Sequence, residues 1–147
     1  MPTGEFSVET KAPAAAVHAY LADLRYEAEW RDDVITCEIE SGEPGQDGAI
    51  YRQHARQGPG TAWHRIRAHV SPRLDVAFET LGAFVIQARG TCRVTGLPGG
   101  GSLVRYELRI DLHGPGIVIQ PVVARELSRR LSAYPGALKA RLDALGG

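Results

Sequence analysis

The longest regular pattern of apolar positions lies near the C-terminal end, over residues 121–145. An α-helix turns once in about 3.6 residues, so apolar side chains at steps of three and four share one face. Charged residues of the segment fall largely on the opposite side, as expected of a helix with one exposed face. The pattern predicts a long amphipathic helix whose buried stripe is Leu127, Leu131, Tyr134, Leu138, Leu142 and Leu145.

A different alternation, with a period of two, runs through residues 34–112 in six segments separated by turns rich in Gly and Pro. Side chains in a strand point alternately to opposite faces, so this pattern predicts strands with one apolar and one charged face. In the first of these strands the expected inward residues are Ile35, Cys37 and Ile39. Because the links between consecutive strands are short, the segments predict an antiparallel meander.

The residues before the meander predict one more strand and two short helices. Residues 5–10 alternate between apolar and polar side chains and include β-branched residues, which predicts a strand. This strand would pair at an edge of the sheet. Pro13 suits a first helical position and predicts a helix that continues to residue 24. Residues 25–31 predict a second short helix or turn that ends near Trp30.

These elements together predict an α+β fold. It consists of a seven-stranded antiparallel sheet wrapped around the long C-terminal helix, with two short helices after strand 1 and Trp30 in the core beneath them. A chain of 147 residues can bury a sizeable core, and we expect a single domain over residues 1–147. The outer face, with its interleaved Arg and acidic side chains, is expected to be solvated. The inner face is therefore the candidate site.

Three features of the inner face predict a cavity. Small residues, among them Ala55, Ala88 and Gly90, lie mid-strand and leave space unfilled. Polar groups occur among the apolar ones, as in small-molecule sites. Pro135 directly follows Tyr134 in the long helix, where a proline normally produces a kink. Two alternatives stay open, since small residues also permit close helix–sheet packing and Pro135 could divide the helix in two.

His64 is the inward residue whose free pKa lies nearest neutrality. No carboxylate is expected in the inward rows, so desolvation should lower the pKa of His64 and leave a neutral imidazole at about pH 7. The alternative interpretation is a core histidine held by hydrogen bonds. The full set of candidate ligand-binding residues is Trp30, Tyr51, Gln53, His64, Phe78, Phe84, Ala88, Tyr106 and Tyr134.

Charge and composition narrow the possible functions. The net charge is zero, and the arginines alternate with apolar residues instead of clustering, which disfavours a nucleic-acid interface. No apolar run approaches the ~20 residues needed to span a bilayer, so no stable membrane insertion is expected. The N-terminal segment is too polar and acidic for a targeting peptide, which predicts a cytoplasmic protein. Cys37 and Cys92 are expected to be free thiols, and neither a metal site nor a cofactor motif is expected.

The segment from Ala12-Pro13 through Tyr20-Leu21 and Asp23 to Trp30 resembles the opening motif of the SRPBCC superfamily, whose members include START-type lipid-transfer proteins and polyketide cyclases/dehydrases. Further similarities are Gly48, Pro72 before a Phe-containing strand, and Gly101-Ser102 before the last strand. The sequence departs from the motif at His18, usually an aromatic, and at Ala28, usually a proline. The resemblance implies the helix-grip fold and a hydrophobic cavity, but no particular chemistry.

Two functional hypotheses follow from the predicted cavity and the resemblance. The first is binding of a hydrophobic small molecule, such as a lipid, polyketide or isoprenoid, without a cofactor. The second is a cofactor-independent polyketide cyclase, aromatase or dehydratase, with His64 as general acid or base and Tyr51 and Tyr106 as hydrogen-bond donors. The partner in both cases is a hydrophobic ligand or substrate, and a monomer and a homodimer both remain open.

Overall fold

The computed structural model describes residues 2–82 and 86–146, in which an N-terminal strand and two short helices precede a meander and a long helix. The strands are β1 (Thr3–Thr10), β2 (Val34–Ser41), β3 (Ile50–Gln57), β4 (Gly60–Val70), β5 (Asp75–Leu81), β6 (Ile86–Gly96) and β7 (Ser102–Leu112). The helices are α1 (Ala14–Ala22), α2 (Glu27–Trp30) and α3 (Gln120–Gly146), and 3₁₀ helices at Leu24–Tyr26 and Gly114–Ile119 precede α2 and α3.

All seven strands form one antiparallel sheet in the order β1-β7-β6-β5-β4-β3-β2. β1 pairs with β7, so the first strand lies at one edge and β2 at the other. The sheet together with the long C-terminal helix and the two short helices confirms the predicted helix-grip fold of the α+β class. No described helix is both long enough and apolar enough to cross a membrane.

The long helix α3 is continuous through Pro135, so the alternative in which this proline divides it in two is wrong. Its inner face buries Leu127, Tyr134, Leu138 and Leu142, as the spacing predicts. Two members of the predicted stripe are less buried: Leu131 is half-buried, and Leu145, in the last turn, is 42% exposed.

The alternation predicted for β2 is wrong at its first residues. The pairing of β2 with β3 shifts register between Val34 and Thr36, which marks a bulge. An extra residue at a bulge resets the inward and outward alternation. Val34 is consequently buried and Ile35 exposed, whereas Cys37 and Ile39 keep their predicted inward side and are half-buried.

Aromatic rings fill the core beneath α1 and α2. Trp30 is buried, as predicted, and its indole meets the rings of Tyr106 and Tyr134 edge-on at centroid distances of 5.9 and 5.4 Å. Phe6 stacks on the opposite side of Tyr106 at 4.8 Å. Edge-to-face and offset stacks are the favourable geometries for such rings. This end of the space between helix and sheet is therefore densely filled.

Candidate functional site

A cavity of about 590 Å³ lies between the sheet and the N-terminal half of α3. Its rim includes the exposed residues Gln57 and Gly58 of the β3–β4 turn and Val122 of α3. The apolar part of the wall consists of Ala55, Ile66, Phe78, Ile86, Ala88, Leu108, Ile110, Ile119, Val122, Val123 and Leu127. A pocket of this size with mostly apolar walls is typical of small-molecule sites.

Strand register places the residues of the sheet wall. Gln53 on β3 lies opposite His64 on β4, and Ala88 on β6 lies opposite Ile110 on β7. Residues opposite each other in an antiparallel pair share one face, and Gln53, His64 and Ala88 all point toward α3. Ala88 adds little volume to that face, which leaves space beneath the helix.

A network of charged side chains forms the polar end of the cavity around Asp33. Arg31 donates two hydrogen bonds to Asp33, from Nη2 to Oδ2 at 2.8 Å and from Nε to Oδ1 at 3.3 Å. The Tyr134 hydroxyl donates to Asp33 Oδ1 at 2.5 Å, and Arg130 Nη1 lies 3.4 Å from Oδ2. Arg31 also donates to Glu27 at 3.2 Å. The network joins the end of α2, the start of β2 and α3.

The network continues along α3 and across to β3. Arg130 donates to Glu126 Oε1 at 3.1 Å and to the carbonyl oxygen of Arg56 at 3.3 Å. Gln53 donates from its amide to Glu27 Oε1 at 2.8 Å. Because a buried charge is costly unless it is paired, these contacts are what allow the ions to lie beside an apolar cavity.

The network sets the protonation state of its members. Burial alone would raise the pKa of Asp33, but the Arg31 charge and the hydrogen bonds from Arg31 and Tyr134 outweigh it, so its pKa lies below the ordinary value. Burial alone would lower the pKa of Arg31, but Glu27 and Asp33 hold its pKa well above the ordinary value. Asp33 and Arg31 are therefore ionised at neutral pH.

His64 lines the cavity, and its imidazole makes no hydrogen bond within the described part of the chain. Burial, followed by the charge of Arg31, lowers its pKa below 6.5, with Asp33 acting in the opposite direction. The expected neutral imidazole is thus consistent with its surroundings. The carboxylate that acts on it, Asp33, lies in the loop before β2, whereas the expectation of no carboxylate concerned only the inward strand rows.

The predicted ligand-binding residues divide into two groups. Gln53, His64, Phe78 and Ala88 line the cavity. Phe84 lies outside the described residues. The remaining four, which are part of the filled core instead of the described cavity wall, are Trp30, Tyr51, Tyr106 and Tyr134.

The three tyrosines were predicted to line the cavity, but each of them lies in the filled core instead. The Tyr51 hydroxyl accepts from the Gly45 amide at 3.0 Å and donates to the Ala22 carbonyl at 3.5 Å, beneath α1. The Tyr134 hydroxyl is bound to Asp33. Tyr106 is fully buried, and among residues 2–82 and 86–146 its hydroxyl has no hydrogen-bond partner.

A second, much smaller void of about 10 Å³ lies beside Tyr106. A space of this size holds about one water molecule. Its wall includes Trp30, Cys92 and Phe78. Since Phe78 also lines the large cavity, its ring separates the two spaces.

Neither cysteine is among the described residues of the cavity wall. Cys37 and Cys92 are free, and burial is the main cause that raises the pKa of each thiol, for Cys37 to about 12. Within residues 2–82 and 86–146, no cluster of three His, Cys, Asp or Glu side chains is arranged to hold a metal ion.

Sequence reasoning missed the charged members of the site, Arg31, Asp33 and Arg130. All three lie in segments where charge indicates exposure, and only the folded chain brings them together. One signal was available: the run Arg31-Asp32-Asp33 directly before the first strand of the meander concentrates charge next to a buried tryptophan.

Comparison with solved structures places the fold among known proteins. A START superfamily protein from Mycobacterium smegmatis superposes with a TM-score of 0.79 at 16% identity, covering 97% of this chain and 98% of that one. A Thermus thermophilus protein gives 0.81 at 17% identity, over 99% and 100% of the two chains. The Zhui aromatase/cyclase from a Streptomyces species gives 0.74 at 23% identity, over 99% and 98%.

Sequence comparison identifies the family directly. Among curated proteins, none matches the chain. The family model described as polyketide cyclase / dehydrase and lipid transport matches residues 1–145, nearly the whole chain. The resemblance drawn from the opening motif is thereby confirmed. The protein belongs to the polyketide cyclase / dehydrase and lipid transport family, within the SRPBCC superfamily.

Proposed function

We propose that the protein binds a hydrophobic small molecule, such as a lipid, polyketide or isoprenoid, in the cavity beneath α3. The observation that carries this proposal is a space of about 590 Å³ with apolar walls and polar groups at one end. Such a composition removes an apolar ligand from water and orients it through a few hydrogen bonds. The family description includes lipid transport, which supports the proposal.

The proposed ligand contacts are the predicted residues that line the cavity. Phe78 and Ala88 would contact the apolar body of the ligand, and Gln53 and His64 its polar part. Trp30, Tyr51, Tyr106 and Tyr134 would act indirectly, by filling the neighbouring core and fixing the position of the wall.

Ligand binding is tested by titrating the protein with the uncharged fluorophore N-phenyl-1-naphthylamine. The variant Ala88→Phe places a ring in the cavity and should weaken binding about tenfold or more, because filled space excludes the probe. The control Ala140→Phe makes the same change at an exposed position of α3 and should bind as the unmodified protein does. Absence of binding, or equal binding by both variants, would contradict the proposal.

A second candidate function is a cofactor-independent cyclase or dehydratase acting on a polyketide-like substrate. The favouring observation is His64, whose ring faces the cavity without a hydrogen-bond partner in the described residues and whose pKa is lowered. A neutral imidazole at about pH 7 can accept a proton from a carbon next to a ketone. Tyr51 and Tyr106 would not assist directly, because their hydroxyls lie in the filled core.

The two functions separate on the variant His64→Ala. For an enzyme, conversion of a poly-β-ketone substrate analogue, followed by mass spectrometry, should fall by a factor of about 100 or more. For a binding protein, the same change should alter the affinity for N-phenyl-1-naphthylamine by no more than about 1–2 kcal/mol. Equal conversion by both proteins would exclude His64 as the catalytic residue.

A further inference from the structure

The charged groups at the polar end of the cavity satisfy one another. Arg31 is held by Glu27 and Asp33, and Arg130 by Glu126 and Asp33. Asp33 in turn accepts a hydrogen bond from the Tyr134 hydroxyl. These contacts use both guanidinium groups and both oxygens of Asp33, so a ligand charge meets partners that are already engaged.

Three further charged residues line the cavity, Asp32, Arg56 and Arg129, and all three are exposed to solvent. Among the less exposed lining residues, the polar groups that remain available toward the cavity are uncharged. The His64 ring has no hydrogen-bond partner in the described residues, and as a neutral imidazole it offers one donor and one acceptor. Thr80 also lines the cavity, and its hydroxyl oxygen accepts from the Ala88 amide at 3.0 Å, which leaves the hydroxyl proton to donate. Ile66 pairs with Thr80, so His64 lies diagonally across from Thr80 on the same face of the sheet.

Because the charged groups are paired and the uncharged ones are available, we infer the class of ligand that the cavity takes. This inference rests on the binding function proposed above. The ligand is an uncharged amphiphile, with an apolar body and a hydroxyl or carbonyl group that hydrogen-bonds to His64 and Thr80. The cavity discriminates against carboxylates and ammonium ions of the same shape.

The discrimination follows from the cost of disturbing the ion pairs. Away from the solvent-exposed Arg56 and Arg129, a ligand carboxylate would have to displace a carboxylate partner of Arg31 or Arg130. It would leave that partner without its counter-charge in a partly desolvated place. An ammonium group would compete with the two arginines for the same carboxylates. A hydroxyl or carbonyl group displaces no existing pair, and it satisfies the imidazole and the threonine hydroxyl.

Four probes of equal chain length test the inference: decan-1-ol, methyl decanoate, decanoate and decylammonium. Each is used to displace N-phenyl-1-naphthylamine from the cavity at about pH 8, where decanoate is ionised and His64 is neutral. We expect the alcohol and the ester each to bind at least about tenfold more tightly than either ion. The groups around His64 that carry charge at this pH are Arg31, Asp33 and Arg130.

The variant Glu126→Gln removes the carboxylate that Arg129 and Arg130 share while leaving Asp33 in place. Decanoate should then bind about three- to tenfold more tightly than to the unmodified protein, with the alcohol unchanged. The control Glu107→Gln makes the same change of charge on the exposed face of β7 and should alter neither affinity.

The outcomes distinguish the inference from the function on which it rests. If decanoate binds as tightly as decan-1-ol, or if Glu126→Gln leaves the ratio of the two affinities unchanged, the inference is wrong and ligand binding stands. If no probe and no fluorophore binds, the binding function is wrong and the inference is wrong with it.

Discussion

The two halves of α3 cover very different spaces, although they belong to one continuous helix. The C-terminal half buries Tyr134, Leu138 and Leu142 to 1% exposure or less, where α1 and α2 also cover the sheet. We call this region the packed half. The N-terminal half, which we call the cavity half, has Val122 66% exposed and Val123 in the wall of the cavity. The sheet beneath is continuous, so the difference arises from side chains and from the added helices.

The comparison teaches that the cavity is made by side-chain size and coverage. The packed half contains the rings of Trp30, Tyr51 and Tyr106, each large enough to span much of the layer between helix and sheet. The cavity half presents Ala55 and Ala88 on its inward face. Besides α3, the only helical residue in its described wall is Ile119, at the end of the 3₁₀ helix. Pro135 lies within the packed half and not beside the cavity. The small residues, and not this proline, therefore account for the cavity.

The largest expected effect comes from Asp33, which joins the two halves. It accepts a hydrogen bond from the Tyr134 hydroxyl of one half and forms an ion pair with Arg130 of the other. Asp33→Ala should lower the free energy of unfolding by about 3–5 kcal/mol, because it leaves Arg31 buried without a full set of partners. Urea denaturation at neutral pH measures the change. The control Asp32→Ala, whose side chain is 61% exposed and 3.8 Å from Arg129, should cost about 1 kcal/mol or less. Similar losses in the two variants would remove Asp33 from its central role.

A matched pair of alanines tests the difference in packing directly. Ala68→Leu inserts a larger side chain at a fully buried position of the packed core and should destabilise by about 1–3 kcal/mol. Ala88→Leu adds the same atoms where they can extend into the cavity, so the free energy of unfolding should change by less than about 1 kcal/mol. Thermal unfolding of both variants gives the comparison, and an equal loss in the two would show that the cavity half is as tightly packed.

Gly90 supports the ring that divides the two halves. It pairs with Phe78, and a Cβ atom built on Gly90 would overlap the Phe78 ring. Gly90→Ala should therefore cost about 1–3 kcal/mol as the ring shifts. Gly60 is the matched control, since it is also a strand glycine but a Cβ there meets open space. Gly60→Ala should change stability by about 0.5 kcal/mol or less, and a similar cost at both positions in urea denaturation would contradict the contact with Phe78.

The smallest expected effect is the pH dependence due to His64. Its folded-state pKa lies below the unfolded value of 6.5, so the unfolded chain binds the proton first as the pH falls. The resulting loss of stability begins as the pH falls through the unfolded pKa and ends once the folded state is protonated too. His64→Gln should abolish this part of the pH dependence when unfolding is measured between about pH 8 and pH 5. Asp33 titrates in a lower window, because its folded pKa is lowered from 3.8. An unchanged profile would place His64 in water.

Much of the fold could be predicted because periodicity depends on local geometry alone. The stripe of α3 and the alternation of β3 to β7 each recur over many residues, so single exceptions matter little. Ile35 is the instructive failure. Val34, Ile35 and Thr36 are all β-branched, and nothing in their identity marks the bulge that turns Ile35 outward.

The sequence predicted which face of the sheet carries the candidate site, but not where along the strands the site lies. Alternation identified the inner face correctly for Gln53 and His64, which line the cavity, and also for Tyr106, which does not. Position along a strand decides between the two halves, and it depends on where α1 and α2 pack. The charged residues Arg31 and Asp33 escaped notice because ion pairing can bury a charge that its local sequence indicates as exposed.

The position of Phe78 between the large cavity and the small void has an evolutionary consequence. One ring sets the depth of the chamber, so one substitution at this position, to a smaller side chain, would join the two spaces and bring Trp30 and Tyr106 to the chamber wall. Neither the strand pairing nor the helix that covers the sheet would need to change. Ligand range can thus diverge in small genetic steps on an unchanged scaffold, which accords with a fold that hosts lipid carriers and cyclases alike.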